Sequence, residues 1–458
     1  MSNTEILSRK KKATWAAGSI ADVYMNNALN YLAFPIYNVA LGVDPRMLGW
    51  ALGLPRIMDA FTDPLMGNIS DNTNTRWGRR RPYVIVGAFL CMMSFVLIWS
   101  PPTKILSTAG IGWFFMGMTF LFYISYTIFA VPWAALGLEL TMDYNERTRV
   151  QAYRTFIQGV GALGLGAMWY LSQIWGDGDD VAGVRIVGWV FGGLILFCGV
   201  LPAIFCRERL HVQAQDKIAF WTAIKATFSN KTFLLLITIT IFVMLGIFMV
   251  NNFALYINIY YVFGGDSKGV ARLNMIANFA FQLAGLALVP LMAAIATRIG
   301  KKKTLVGGLL VVVFAYGTSW FFYTPRAPYL QLLTLALAAP GLACMWTLAQ
   351  SMLADICDLD EKRTGRRREG MFGASYSWAT KAGISLTMIM SGYMLNWSGF
   401  DAELDAQPEK VVTTMRLLYM LVPMFFVGLA ALLTSFYPLT EERVNELRAE
   451  LDSKQSEE

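Results

Sequence analysis

Apolar stretches of spanning length recur near residues 14–41, 47–70, 83–100, 109–140, 152–175, 184–205, 232–262, 270–297, 304–323, 328–357, 371–395 and 411–437. No other feature constrains the fold as strongly. Backbone polar groups inside hydrocarbon must be satisfied within the protein, so only helices or closed barrels can cross, and runs of about 20 residues suit helices. The expectation is an all-α membrane protein with twelve transmembrane helices. Most of the 38 Lys and Arg residues fall in alternate connecting segments, beginning with the N-terminal one, which places both termini in the cytoplasm of a cell whose inner membrane the chain spans. With 56% hydrophobic and 15% charged residues, a soluble enzyme is excluded. The net charge of +7 sits at membrane ends, where it sets topology, so nucleic acid is not an expected partner. Five cysteines without CxxC spacing imply neither a disulfide framework nor a zinc site. The basic N-terminus runs into a long, polar-dotted span without a cleavage motif and reads as an uncleaved first helix.

The chain repeats itself. RWGRRRPYVIVG at 76–87 is echoed by RIGKKKTLVGG at 298–308, and DYNERT at 143–148 by DLDEKRT at 358–364. Two six-helix halves follow, 1–206 and 232–440, with a cytoplasmic linker at 207–231 and a tail at 441–458. Phe220, Trp221, Ile224 and Phe228 give the linker a mildly amphipathic pattern, which fits either a helix on the inner membrane face or a plain solvated connection. This is the arithmetic of the major facilitator fold, with a substrate site expected between the halves near the bilayer midplane. The glycines of the fifth and sixth spans, Gly159, Gly161, Gly164, Gly166, Gly188 and Gly192, read as close helix contacts, since no strand precedes them to form a phosphate loop.

Asp59 and Asp63 are two carboxylates in the second apolar run. Each costs about 2.5–3.5 kcal/mol at that depth on insertion scales, so a partner or a cavity is required. The i, i+4 spacing places them on one helical face, where a shared metal ion or a shared proton would relieve their repulsion. Pro64 leaves the carbonyl of Ala60 without a donor, a further oxygen for a hard cation. An ion pair with Arg56 is the alternative, although one arginine cannot neutralise both acids.

Other polar residues punctuate the spans. Asp22, Asn26 and Asn30 form a stripe on the first, with Asn27 beside it. Tyr126 and Thr127 precede Pro132 on the fourth, and Arg154 lies just inside the fifth, as a ligand or an interface anchor. Asn251, Asn252, Asn274, Asn278 and Gln282 follow on the seventh and eighth, the last three as a ligand wall or an interhelical seam. Trp346 and Gln350 lie on the tenth, and Ser377, Trp378 and Lys381 on the eleventh. Carboxylate, amide and guanidinium groups interleaved with tryptophan suit a hydroxyl-rich ligand, which makes Asp22, Asn26, Tyr126, Arg154, Trp346, Ser377 and Lys381 the candidate substrate contacts. The sole histidine, His211, is in the linker, so neither a buried histidine relay nor a Ser-His-Asp triad can form, and an enzyme is not expected.

Arg56, the DAFTDP run at 59–64, Arg76-Trp-Gly and Arg81-Pro-Tyr resemble the signature of the glycoside–pentoside–hexuronide:cation symporters of the melibiose permease type, over about residues 15–437. The resemblance implies a cation site at Asp59, Asp63 and Thr127, with Thr62 where an asparagine often sits, and Na+ as its metal if coupling is to sodium. It also implies sugar contacts at Asp22, Arg154 and Trp346, with Lys381 near the junction of the two sites. The chain departs from that pattern at Ala21, Ala130 and Ala134, where the melibiose type has a lysine, a second sugar-binding aspartate and a stacking tryptophan. The implied function is symport of a sugar, glycoside or hexuronide with Na+ or H+ by alternating access, by a monomer in the bilayer, with no cofactor beyond the co-transported ion. A proton-coupled sucrose-type carrier, which the RRRP loop resembles, and a lysolipid transporter of the same broad group are the alternatives. Arg79, Arg80 and Arg81, with Arg56, are candidate gating residues, the loop arginines pairing with acids such as Asp71 or capping helix C-termini of the opposite half.

Overall fold

The computed structural model describes residues 7–141, 143–206, 208, 230–364, 368–401, 404, 406–444 and 446. The linker motif at Phe220, Trp221, Ile224 and Phe228, His211, and the tail beyond 446 lie outside the described residues. Within them the chain is helical throughout, with no strand. Among the described residues, eight helical segments are long and apolar enough to cross a membrane.

The chain divides into two compact units. The first comprises Met1–Ala214, Asp266–Gln282 and Gly392–Asp405. It holds α1 (Arg9–Ala33), α2 (Pro45–Asn72), α3 (Arg81–Ile98), α4 (Thr108–Glu139), α5 (Tyr144–Leu163), α6 (Ala167–Trp175) and α7 (Asp180–Phe205). Short polar side chains start these helices where the sequence leaves an apolar run: Ser8, Asp44, Ser107, Asp143 and Asp179 each accept a backbone N–H of the first turn. Of these seven, α1, α2, α5 and α6 are not among the eight apolar segments. The first three carry Asp22, the Asp59/Asp63 pair and Arg154, whose presence lowers their hydropathy.

The fifth apolar run does not form one helix. Around Gly164 tighter i→i−3 bonds replace α-helical ones, Gly164 to Gly161 and Ala167 to Gly164, and so separate α5 from α6. The glycines also permit close approach, Gly161 to Ile20, Gly164 to Tyr24, Gly188 to Trp99 and Gly192 to Val96. They act as the helix contacts expected.

The second unit comprises Gln215–Gly265, Leu283–Ser391 and Ala406–Glu458. Its framework is α8 (Lys231–Phe248), α9 (Asn251–Ile257), the later part of α10 (Ser267–Ile299), α11 (Lys301–Phe322), α12 (Leu332–Thr364), most of α13 (Glu369–Trp397) and α14 (Glu409–Ser435). The internal repeat is visible in the backbone of each unit. α1 unwinds into a π-helical stretch, Phe34–Ala40, and α9 does the same over Asn258–Val262. A buried asparagine sits in both, Asn38 donating to the Val43 carbonyl at 2.7 Å and Asn258 accepting from Gln331 at 2.8 Å. Glycine occupies the left-handed turn of each echoed basic loop, Gly78 at φ 107° and Gly300 at φ 87°.

The core of the first unit is tied by two indoles. Trp15 of α1 and Trp133 of α4 stack with centroids 5.4 Å apart, and each donates its Nε1–H to the other's backbone carbonyl at 3.2 Å. Gly137 and Gly18 make room, since a Cβ on either would enter the opposing ring. The Gly137→Ala substitution should therefore overpack this contact and destabilise the protein by about 1–3 kcal/mol. Thermal melting in detergent reads this directly, and an unchanged midpoint would show that α1 and α4 are not held by the indole pair.

Candidate functional site

The acidic pair and the substrate candidates of the first unit meet on four helices. Asp59, 1% exposed, lies 3.8 Å from the Nη1 of Arg56. Arg56 does more than balance this acid. Its Nη2 donates to both the backbone carbonyl and the Oδ1 of Asn26 on α1 at 2.5 Å, and its guanidinium lies 4.3 Å from the centroid of Tyr123 on α4. Grouped with the gating arginines on sequence, Arg56 has its contacts in the buried network instead. One turn further along α2, the half-buried Asp63 accepts from the Thr127 hydroxyl at 3.1 Å, and Thr62 lies 3.4 Å from that same hydroxyl. One carboxylate and two hydroxyls thus meet between α2 and α4, with Asp59 one turn away on α2. Among the described residues no three His, Cys, Asp or Glu side chains could hold a metal ion together. Carboxylate and hydroxyl oxygens are the ligand type of hard cations.

The second branch starts from Asn26, whose Nδ2 donates to the Tyr126 hydroxyl at 3.1 Å. Tyr126 in turn donates to Asp22 Oδ1 at 2.9 Å, and Asp22 Oδ2 faces the Nη2 of Arg154 at 3.7 Å. The Arg154 guanidinium lies 4.8 Å from the Trp133 centroid, and its side chain stays 31% exposed. Of the polar stripe on α1, Asn27 turns back to its own helix and bonds the Val23 carbonyl at 3.0 Å. Asn278 donates to the Tyr31 hydroxyl at 2.8 Å, which makes it part of a seam between α10 and α1.

Trp346, Ser377 and Lys381 belong to the second unit. Trp346 is 47% exposed, Ser377 is exposed and Lys381 is half-buried. Tyr123 and Trp133, which carry the two arginines, were missed on sequence because an aromatic in an apolar run looks like core. An arginine or aspartate within a span calls for such a partner, and that requirement was the available signal.

At the end of the first unit that bears the basic loop, Arg79 and Arg80 both contact Glu139 Oε1, at 3.0 and 2.8 Å, and Arg80 reaches Asp71 at 2.7 Å. Glu208 accepts the backbone N–H groups of Arg79 and Arg80 at 2.7 Å and that of Arg81 at 3.1 Å, a carboxylate on the N-terminus of α3. Arg81 bonds the carbonyls of Ala203 and Ile204 at the end of α7. That helix lies in the same unit, not in an opposite half. In the second unit Lys301 and Asp355 repeat the pairing at 2.5 Å.

These features define a helical membrane carrier: polar and charged groups buried between apolar helices, with an ion-paired loop repeated in each unit. The chain matches the family described as MFS/sugar transport protein over residues 14–441 and belongs to it. A glucuronide carrier protein homolog of Escherichia coli (strain K12) is 26% identical over an alignment covering 96% of this chain and 94% of that one. The sodium-dependent lysophosphatidylcholine symporter 1 of Gallus gallus is 25% identical, with 88% and 81% covered. Among solved structures, a D-xylose-proton symporter matches with a TM-score of 0.66 at 16% identity, covering 92% of this chain and 96% of that one. The fold is that of the major facilitator transporters, and the protein is a multi-pass membrane transporter, not an enzyme.

An ion cluster before the fifth apolar run gives a pH test. Lys12 and Arg149 bond the two oxygens of Glu146 at 2.8 and 2.6 Å, and these bonds, Lys12 first, hold its carboxyl below the usual range. A depressed carboxyl stabilises the fold above the ordinary glutamate value of about 4.3, and that contribution is lost as the pH falls below it. Melting curves of the parent and of Glu146→Gln should differ at neutral pH and converge in acid. A gap that persists at acid pH would show that the charge on Glu146 is not what stabilises the cluster.

Proposed function

We propose that the protein imports a sugar or glycoside together with Na+ or H+, by alternating access. One observation carries the reading: an unbroken path of hydrogen bonds and ion pairs runs from Asp59 through Arg56, Asn26 and Tyr126 to Asp22 and Arg154. Asp59, Asp63, Thr127 and Thr62 supply oxygens for the cation, and Asp22 and Arg154 supply an acceptor and a donor fork for hydroxyl groups. Within the first unit the carboxylates of Asp22, Asp59 and Asp63 exceed the guanidinium groups of Arg56 and Arg154 by one charge. One monovalent cation neutralises that excess. Trp346, Ser377 and Lys381 contribute further substrate contacts from the second unit. Arg79, Arg80 and Arg81 act as the gate on the cytoplasmic side of a cell membrane, working as a monomer.

Likeness to a lysophosphatidylcholine symporter supports a second reading, in which Arg154 receives a phosphate. Uptake of labelled methyl glucoside, methyl glucuronide and lysophosphatidylcholine into the same proteoliposomes separates these substrates. For the substrate taken up, Asp59→Cys and Asp63→Cys should each abolish accumulation driven by a cation gradient while retaining substrate binding. Unchanged uphill uptake in both variants would remove the cation site from these residues.

A further inference from the structure

We infer that Asn26 and Tyr126 are coupling residues that transmit cation occupancy at Asp59 to the substrate-binding posture of Asp22. This rests on the proposed symport and assigns to the two side chains a role other than direct substrate contact.

The hydrogen bonds run in one direction. Arg56 donates to Asn26 Oδ1, and this fixes which end of the planar amide faces α2. The other end, Nδ2, must then donate to the Tyr126 hydroxyl, as it does at 3.1 Å. A phenol that accepts from an amide has its single proton left for an onward partner, and at 2.9 Å that partner is Asp22 Oδ1. Each bond orients the next, and a chain of this kind, starting on a cation and ending on an anion, is mutually polarising. Its members are packed as well as bonded. Asp22 is 6% exposed, Arg56 9% and Tyr126 8%, so a rotated hydroxyl finds little water to replace its partner, while Asn26 is half-buried.

The switch lies at the start of the chain. Arg56 stands between Asp59, at 3.8 Å, and Asn26, at 2.5 Å. A cation drawn to Asp59 and Asp63 competes with Arg56 for Asp59, and a guanidinium released from the acid commits to Asn26. The amide then holds the Tyr126 proton on Asp22 Oδ1, and Oδ2 is left facing Arg154 and the substrate. Linkage makes the effect reciprocal: substrate binding that settles Asp22 must raise cation affinity by the same factor.

Calorimetric titration of reconstituted protein with methyl glucoside, methyl glucuronide and lysophosphatidylcholine, each with and without saturating Na+, reads the coupling as the ratio of the two dissociation constants; acid and alkaline buffers replace Na+ if the driving ion is H+. In the parent protein a ratio in the usual allosteric range of about 5- to 150-fold is expected for the transported compound. In Tyr126→Phe, which removes one hydroxyl and keeps the ring, and in Asn26→Ala, the ratio should collapse toward one. The ratio is read against each variant's own affinity without cation, so a change in that baseline does not enter it. A side chain that only touches substrate would weaken binding equally in both conditions and leave the ratio intact. An undiminished ratio in Tyr126→Phe overturns the inference alone, whether or not Asn26→Ala folds. Absence of cation-dependent binding of all three compounds to the parent protein overturns the symport reading together with it.

Discussion

Two like charges on one face of an apolar helix dominate the energetics of this molecule. Asp59 and Asp63 are one turn apart, and at a Cβ separation of about 5–6 Å and an effective dielectric near 20 their repulsion is about 3 kcal/mol, before any desolvation. Arg56 offsets part of this for Asp59, while Thr127 supplies a proton donor for Asp63. The remainder is repulsion that a nearby positive charge would relieve. The surrounding helices hold that tension in place: α4 brings Tyr123 beneath Arg56 and Thr127 to Asp63, and α1 brings Asn26 to the other side of the guanidinium.

Positioning depends on how closely α1 and α4 approach. Asn26 and Tyr126 can touch only if the helices that bear them pack side by side, and the reciprocal Trp15/Trp133 stack, seated on Gly18 and Gly137, sets that contact near their other ends. Trp133 then serves a second purpose, presenting a ring face to Arg154 at 4.8 Å. Structural and functional groups thus share the same side chains. The melibiose-type stacking tryptophan is absent at Ala134, one residue further along α4 from this indole.

Much of this was legible in the sequence, for a physical reason: charges are rare in apolar runs, so each one announces itself. Asp22, Arg56, Asp59, Asp63 and Arg154 stood out on that ground, and Thr127 by resemblance; the structure links Asp59, Arg56, Asp22 and Arg154 through Asn26 and Tyr126, and pairs Asp63 with Thr127. The Arg80–Asp71 pair was legible too, because both flank one short loop. What was not legible needed the third dimension. Tyr123 and Trp133 cannot be told from core aromatics by pattern. Glu208 was hidden because its partners on the Arg79–Arg81 backbone are distant in the chain, and the hydrogen-bond direction from Arg56 to Asp22 depends on which end of an amide faces which helix. The break between α5 and α6 was signalled by its glycines, yet hydropathy alone ran across it.

A pair of carboxylates with one arginine beside them should take up one positive charge per transport cycle. Current recorded on a solid-supported membrane, set against radiolabelled uptake in the same proteoliposomes, gives the charge carried per molecule of neutral glycoside. One positive charge moving inward with each glycoside is the expected result, and electroneutral uptake that ignores an imposed cation gradient would contradict it.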